Sequence, residues 1–116
     1  MNDGFKVSRR DDGGLTVIYP HGFLDAHTAP EFEGELRKAI DGGRVQLVVN
    51  CKDLDYISSA GLGVFMGCIE DVREQGGDIK ISNLVPKVYH VFELLGFHQL
   101  YDLSETEEEA SGKFAR

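Results

Sequence analysis

The chain is short of cysteine, of cationic charge and of long apolar runs, and each shortage removes a class of protein. Cys51 and Cys68 are the only cysteines among 116 residues. Two thiols at that spacing match neither a disulfide framework nor a metal-ligand set. Cys51 falls at the end of an apolar run and Cys68 inside a helical pattern, so both are expected to be small core residues, reduced in the cytosol. Twelve Lys and Arg face twenty Asp and Glu, a net charge of −8. Nucleic-acid binders meet phosphates with clustered cations, so this balance argues against a nucleic-acid partner. No apolar run approaches the ~20 residues that cross a bilayer. Met1–Arg10 is polar and has no signal-peptide core. A cytoplasmic protein without a membrane partner is the expectation. Repeats, linkers and low-complexity blocks are also missing, so residues 1–116 read as one domain.

Hydrophobic residues make up 41% of the chain, enough for a core. Phe5 to Arg9 alternates as a short strand. Asp11-Asp12-Gly13-Gly14 is a hairpin turn signal, and Leu15 to Tyr19 reads as the antiparallel return strand. Pro20 is expected to limit that strand or to put it near an edge. Thr28 with Glu31 fits a capping box, Pro30 suits a first helical turn, and Phe32, Leu36 and Ile40 form an apolar stripe. Gly42-Gly43 ends that helix. Val45 to Asn50 is apolar enough for a central strand covered on both faces. A helix follows Ser59 and runs to about Gln75, with Leu62, Phe65, Met66, Ile69 and Val72 inward. Asp78 to Ser82 is the next strand, which completes a parallel βαβ unit. A further helix starts within Asn83–Pro86 and turns Val88, Val91, Phe92 and Leu95 inward. A short last strand is expected near Tyr101. Ser104 with Glu107 repeats the capping-box pattern, so Ser104 to about Ser111, within the acidic tail 104–116, is expected to form a short polar helix that frays.

The chemistry concentrates in Ser58-Ser59-Ala60-Gly61-Leu62-Gly63, where a strand gives way to a helix. First-turn N–H groups have no internal partner, and the helix dipole is positive there. A hydroxyl can cap such an end, and a phosphate is tolerated there. Gly61 and Gly63 each cost ~1 kcal/mol against Ala in a helix, so something needs small residues at both places. Tight helix–strand packing and close approach of a partner both answer that need. A hydrolase nucleophile at Ser59 is disfavoured, because Ile57 stands where the elbow motif needs Gly. His21, Asp25 and His27 match no metal spacing. Gly61-Leu62-Gly63 is too little for a dinucleotide loop, and no cofactor is implied. Asp53 and Asp55 read as turn residues.

Asp53-Leu54, Tyr56-Ile57, Ser58-Ser59-Ala60 and Gly61-Leu62-Gly63 resemble the phosphorylation loop of the STAS domain anti-sigma-factor antagonists. Gly22-Phe23-Leu24-Asp25 followed by Thr28-Ala29 resembles the second hallmark of that family. The likeness runs from about Gly4 to Tyr101. It implies an α/β fold: a STAS-type mixed β-sheet with an N-terminal hairpin, a parallel βαβ unit and helices mostly on one face. It places the phosphoacceptor at Ser59. Many relatives carry Asp where this chain has Ser58, which leaves Ser58 as a competing acceptor. It also implies a partner surface of Asp25, Thr28, Ser58, Ser59, Ala60, Gly61, Leu62 and Gly63, with Asp25 near Ser59. The implied partners are an anti-sigma factor with serine kinase activity and a PP2C-type phosphatase. The chain itself would be no enzyme. The alternative is a STAS regulatory module in another signalling or transport-associated assembly.

Overall fold

A computed structural model describes residues 4–114. The first two strands, β1 (Lys6–Asp12) and β2 (Leu15–Leu24), form the antiparallel hairpin. Helix α1 (Ala29–Asp41) leads to β3 (Gln46–Asn50) and β4 (Leu54–Ile57). Helix α2 (Ser59–Glu74), strand β5 (Asp78–Ser82) and helix α3 (Pro86–Leu94) follow. A 3-10 turn (Phe97–Gln99), strand β6 (Asp102–Ser104) and helix α4 (Glu107–Phe114) close the chain. The sheet order is β1-β2-β3-β5-β6, and β4 pairs only with β2. All pairings beyond the hairpin are parallel. The expected mixed sheet and α/β class are therefore present.

Strand β2 is twice as long as the spacing predicts, because Pro20 does not end it. Its parallel ladder to β3 stops at Ile18, and that to β4 starts at Gly22. Pro20 lies in the gap between them. The Gly22 N–H donates toward Asp53 on that side. Strand alternation puts the Pro20 nitrogen on the same side, where no ladder bond is lost. Strand β4 is the second departure. Asp55 lies within it rather than in a turn. Its Leu54 and Ile57 are buried while Asp55 and Tyr56 face out, a pattern without strict alternation.

Helices α1, α2 and α3 cover one face of the sheet. Ile18, Leu47, Val49, Ile79 and Ile81 meet Phe32, Leu36, Phe65, Val72, Val88 and Phe92 there. Met66 and Leu95, expected inside, are exposed. Cys68 and Val64 take the inward positions on α2 instead. Gly77 lets β5 start close to β3, since a Cβ there would overlap the Val45 carbonyl.

Helix α4 covers part of the opposite face, where Ala110 packs on Val17 and Val48. It is docked by specific contacts, which the frayed-tail expectation missed. Its cap is Thr106, whose Oγ1 accepts from the Glu109 N–H at 3.1 Å, and not Ser104, which lies in β6. Glu107 accepts from Tyr19 Oη at 2.7 Å, Arg10 Nη2 at 2.6 Å and Asn50 Nδ2 at 3.1 Å. Burial pushes the Glu107 pKa up, but those hydrogen bonds outweigh it and the net direction is down. Asp102 is similar: burial raises its pKa, and Lys113 and Lys80 lower it by more. A lowered folded pKa stabilises above the unfolded carboxylate value of ~4, and the gain is lost as pH falls through the folded pKa. We therefore expect stability to decline from about pH 5 downward, with α4 releasing first. Glu107→Gln should flatten that decline in a series of thermal melts. An equally steep decline in the variant would show that Glu107 does not anchor α4.

Candidate functional site at the strand-to-helix loop

The loop is built by the end of β2 and the end of β4. Phe23 is in register with Tyr56 and Leu24 with Ile57. The Ser58 N–H donates to the Leu24 carbonyl at 2.9 Å. The Leu62 N–H then bonds the Ser58 carbonyl at 3.1 Å and starts α2. This pairing sets the Leu24 end of the Gly22–Pro30 segment against Ser58.

The two serines sit in different environments. Ser58 is the N-cap residue with an extended backbone, yet its hydroxyl makes no capping bond. Its Oγ is buried and finds no hydrogen-bond partner among the described residues. Ser59 is the first helical residue and is exposed. The first turn of α2 carries no acidic residue, so no side chain of that turn offsets the positive helix end.

The two glycines divide the roles that the sequence left open. A Cβ on Gly61 would stand 2.8 Å from Leu24 Cγ and 2.9 Å from Ile57 Cγ1. Gly61 thus lets α2 settle onto the ends of β2 and β4. A Cβ on Gly63 would meet nothing within 4 Å, and the residue is exposed.

Three residues expected on the partner surface are withdrawn from it: Thr28, Gly61 and Leu62 are buried. Thr28 is also not the expected capping box. Its Oγ1 donates to the Phe23 carbonyl at 2.8 Å and accepts from the Asp25 N–H at 2.9 Å. The Asp25 carboxylate ties the turn ahead of α1, with Oδ1 accepting from the N–H groups of His27 at 2.9 Å and Thr28 at 3.2 Å. Asp25 therefore has a turn-fixing role in place, as short polar side chains before helices often do. Ser58, Ala60 and Asp25 are half-buried, and Ser59 and Gly63 are open.

An aromatic pair beside the loop was not anticipated. Phe23 is 57% exposed and Tyr56 46%, with ring centroids 5.7 Å apart. Met66 on α2 is also exposed, at 53%. The register of β4 on β2 creates the pair, so no local sequence signal announces it. A cleft of about 340 Å³ adjoins Phe23, between Phe5, His21, Asp25 and Asp55. Among the described residues, no three His, Cys, Asp or Glu side chains gather into a metal site. Burial pushes the Cys51 thiol up to about 12 and the Cys68 thiol to about 11, so neither is poised as a nucleophile at neutral pH.

A six-stranded mixed sheet with a serine-bearing loop ahead of a helix defines a class, and comparison with known proteins identifies it. The STAS domain model matches residues 6–110, and the chain belongs to that family. The anti-sigma-B factor antagonist of Bacillus subtilis is 33% identical over 87 residues, covering 75% of this chain and 79% of that protein. An anti-sigma factor antagonist from Mycobacterium paratuberculosis shares the fold at a TM-score of 0.90 and 20% identity, covering 100% of this chain and 98% of that one. The phosphorylated form of the Bacillus cell fate determinant SpoIIAA superposes at a TM-score of 0.71 with 24% identity, covering 95% and 98% of the two chains. The relatives matched in sequence are thus anti-sigma factor antagonists, regulatory proteins of bacteria.

Proposed function

We propose that this chain is an anti-sigma factor antagonist whose binding is switched by phosphorylation of Ser59. One observation carries the choice of residue: Ser59 is exposed at the helix start while the Ser58 hydroxyl is buried. The unphosphorylated protein binds a cognate anti-sigma factor and so frees a sigma factor. That anti-sigma factor is also a serine kinase using ATP, and a PP2C-type phosphatase restores the binding form. The partners supply the catalysis; this chain is ligand and substrate. The cycle runs in the cytoplasm, in keeping with the fact that no helix among the described residues is long and apolar enough to cross a membrane. Phosphate adds about −1.5 to −2 charges at neutral pH. At a helix N-terminus that charge is tolerated, so the switch acts at the contact surface rather than on the fold. Contact falls on Ser59, Gly63 and the adjoining Phe23, Tyr56 and Met66, with Asp25, Ser58 and Ala60 at its edge. Thr28, Gly61 and Leu62 support it from beneath.

Incubation with the cognate kinase and ATP, followed by intact-mass measurement and site mapping, tests this reading. Wild type and Ser58→Ala should gain one phosphate, and Ser59→Ala none. A label retained in Ser59→Ala and mapped to Ser58 overturns the assignment.

A further inference from the structure

Strand β4 carries the chain into the Ser58–Ser59 loop, yet its own pairing does little to fix it. It has four residues, only Leu54 and Ile57 are buried, and its ladder to β2 shifts register between Gly22 and Phe23. Its position therefore leans on its two ends. At the loop end the Ser58 N–H bonds the Leu24 carbonyl. At the other end the turn Cys51-Lys52-Asp53 joins it to β3. The Leu54 N–H donates to the Cys51 carbonyl at 3.0 Å, and the Asp53 carbonyl accepts from the Gly22 N–H of β2 at 2.9 Å. The Lys52 N–H is held by a side chain instead: it donates to Asn50 Oδ1 at 3.0 Å. Asn50 is the last residue of β3 and is 4% exposed.

The nitrogen end of the same amide reaches α4. Asn50 Nδ2 donates to Glu107 Oε1 at 3.1 Å. A carboxylate only accepts and a backbone N–H only donates, so the amide serves both in one orientation, oxygen toward Lys52 and nitrogen toward Glu107. Removing the Glu107 acceptor leaves a buried amide donor unpaired and takes away the reason for that orientation. The two Glu107 oxygens divide their work: Oε1 also accepts from Tyr19 Oη, and Oε2 accepts from Arg10 Nη2. Helix α4 has little apolar hold of its own, with Ala110 its one buried residue, so polar contacts decide whether it stays docked. We propose that Glu107 is a positioning residue for the Ser59 loop, acting through Asn50 and the Lys52 turn, so that docking of α4 and order of the loop rise and fall together. Such coupling is reciprocal, and a partner seated on the loop holds α4 down in turn. The effect on partner binding rests on the reading of the Ser59 loop as contact surface; the link from α4 to β4 does not.

Amide hydrogen exchange, read by NMR on the full chain, tests the link without any partner. In Glu107→Ala the Lys52 and Leu54 amides should exchange at least ~10-fold faster than in wild type and Ser58 at least ~3-fold faster, with Leu36 in α1 and Val72 in α2 unchanged. Glu107→Gln keeps the Oε1 acceptor and gives up the Arg10 ion pair, so it should stay within ~2-fold of wild type at Lys52, Leu54 and Ser58. Adding Glu107→Ala to Asn50→Ala should change Leu54 and Ser58 by less than ~2-fold more, because the two residues act in series. Anti-sigma factor affinity should fall about 3–10-fold in Glu107→Ala and hold in Glu107→Gln. Wild-type rates at Lys52 and Leu54 in Glu107→Ala overturn the proposal, whether or not α4 has come loose. Additive effects with Asn50→Ala, or Glu107→Gln behaving as Glu107→Ala, do the same. Should Glu107→Ala not fold, Asn50→Asp takes its place: it keeps the Lys52 acceptor, sets like charge against Glu107 and should speed exchange in α4 and at Ser58, and unchanged rates there reject the relay. Ser59→Asp separates this proposal from the reading it rests on. Weakened binding by Ser59→Asp with full binding by Glu107→Ala rejects the positioning role; full binding by both rejects the loop as contact surface, and the exchange rates alone then judge the relay.

Discussion

Ser59→Asp should bind the anti-sigma factor about 100-fold more weakly than wild type, while its melting temperature stays level or rises slightly. The two halves of that expectation have different causes. The carboxylate sits at the first helical position, where a negative charge favours the helix by ~0.3–1 kcal/mol. The first turn has no acid of its own, so the added charge meets no like-charged neighbour there. The loop's backbone bonds, from the Ser58 N–H to Leu24 and from the Leu62 N–H to Ser58, do not involve the Ser59 side chain. Binding is another matter. An unpaired charge buried at an interface costs about 2–5 kcal/mol, and 100-fold corresponds to about 2.7 kcal/mol. Calorimetric titration and a thermal melt on one sample read both quantities. A melting temperature lowered by more than ~5 °C would attribute the lost binding to unfolding, and the surface switch would fail.

Much of this site was legible because it is local. The strand-to-helix transition at Ser58-Ser59, the cap at Gly42 and the bounds of β5 follow from short-range pattern and turn chemistry. Long-range register was not legible. Strand β4 hides because Leu54-Asp55-Tyr56-Ile57 has only its ends buried, and its partner is the far end of a strand interrupted by Pro20. The Phe23–Tyr56 pair depends on that register and is invisible without it. Capping boxes misled twice for one reason. Thr28 and Ser104 stand three residues before a glutamate, but tertiary partners claimed them. Thr28 was taken by the Phe23 carbonyl and Ser104 by strand β6. Acidity misled too: Glu107 reads as tail charge and is in fact the anchor of α4 to Tyr19, Asn50 and Arg10.

Gly61 and Gly63 should respond oppositely to added bulk, although they are two residues apart in one motif. At Gly61 a Cβ intrudes on Leu24 Cγ and Ile57 Cγ1 at 2.8 and 2.9 Å, and both side chains are buried. Overpacking of this kind costs about 1–3 kcal/mol, and replacing glycine in a helix returns up to ~1. Gly61→Ala should therefore lose ~1 kcal/mol net, and Gly61→Val, with two more carbons against the same wall, ~3 kcal/mol. Gly63 has open space around it, so Gly63→Ala should gain roughly 0.5–1 kcal/mol from helix propensity alone. Partner affinity then separates packing from contact. If Gly63 faces the anti-sigma factor, Gly63→Val should keep its melting temperature and still bind at least ~10-fold more weakly, because a branched side chain holds the two surfaces apart. Denaturant unfolding and binding measured on Gly61→Val and Gly63→Val together decide the matter. Full affinity in a folded Gly63→Val would remove the exposed face of the first turn of α2 from the interface. A stable Gly61→Val would show that the ends of β2 and β4 do not hold the loop as tightly as Leu24 and Ile57 indicate.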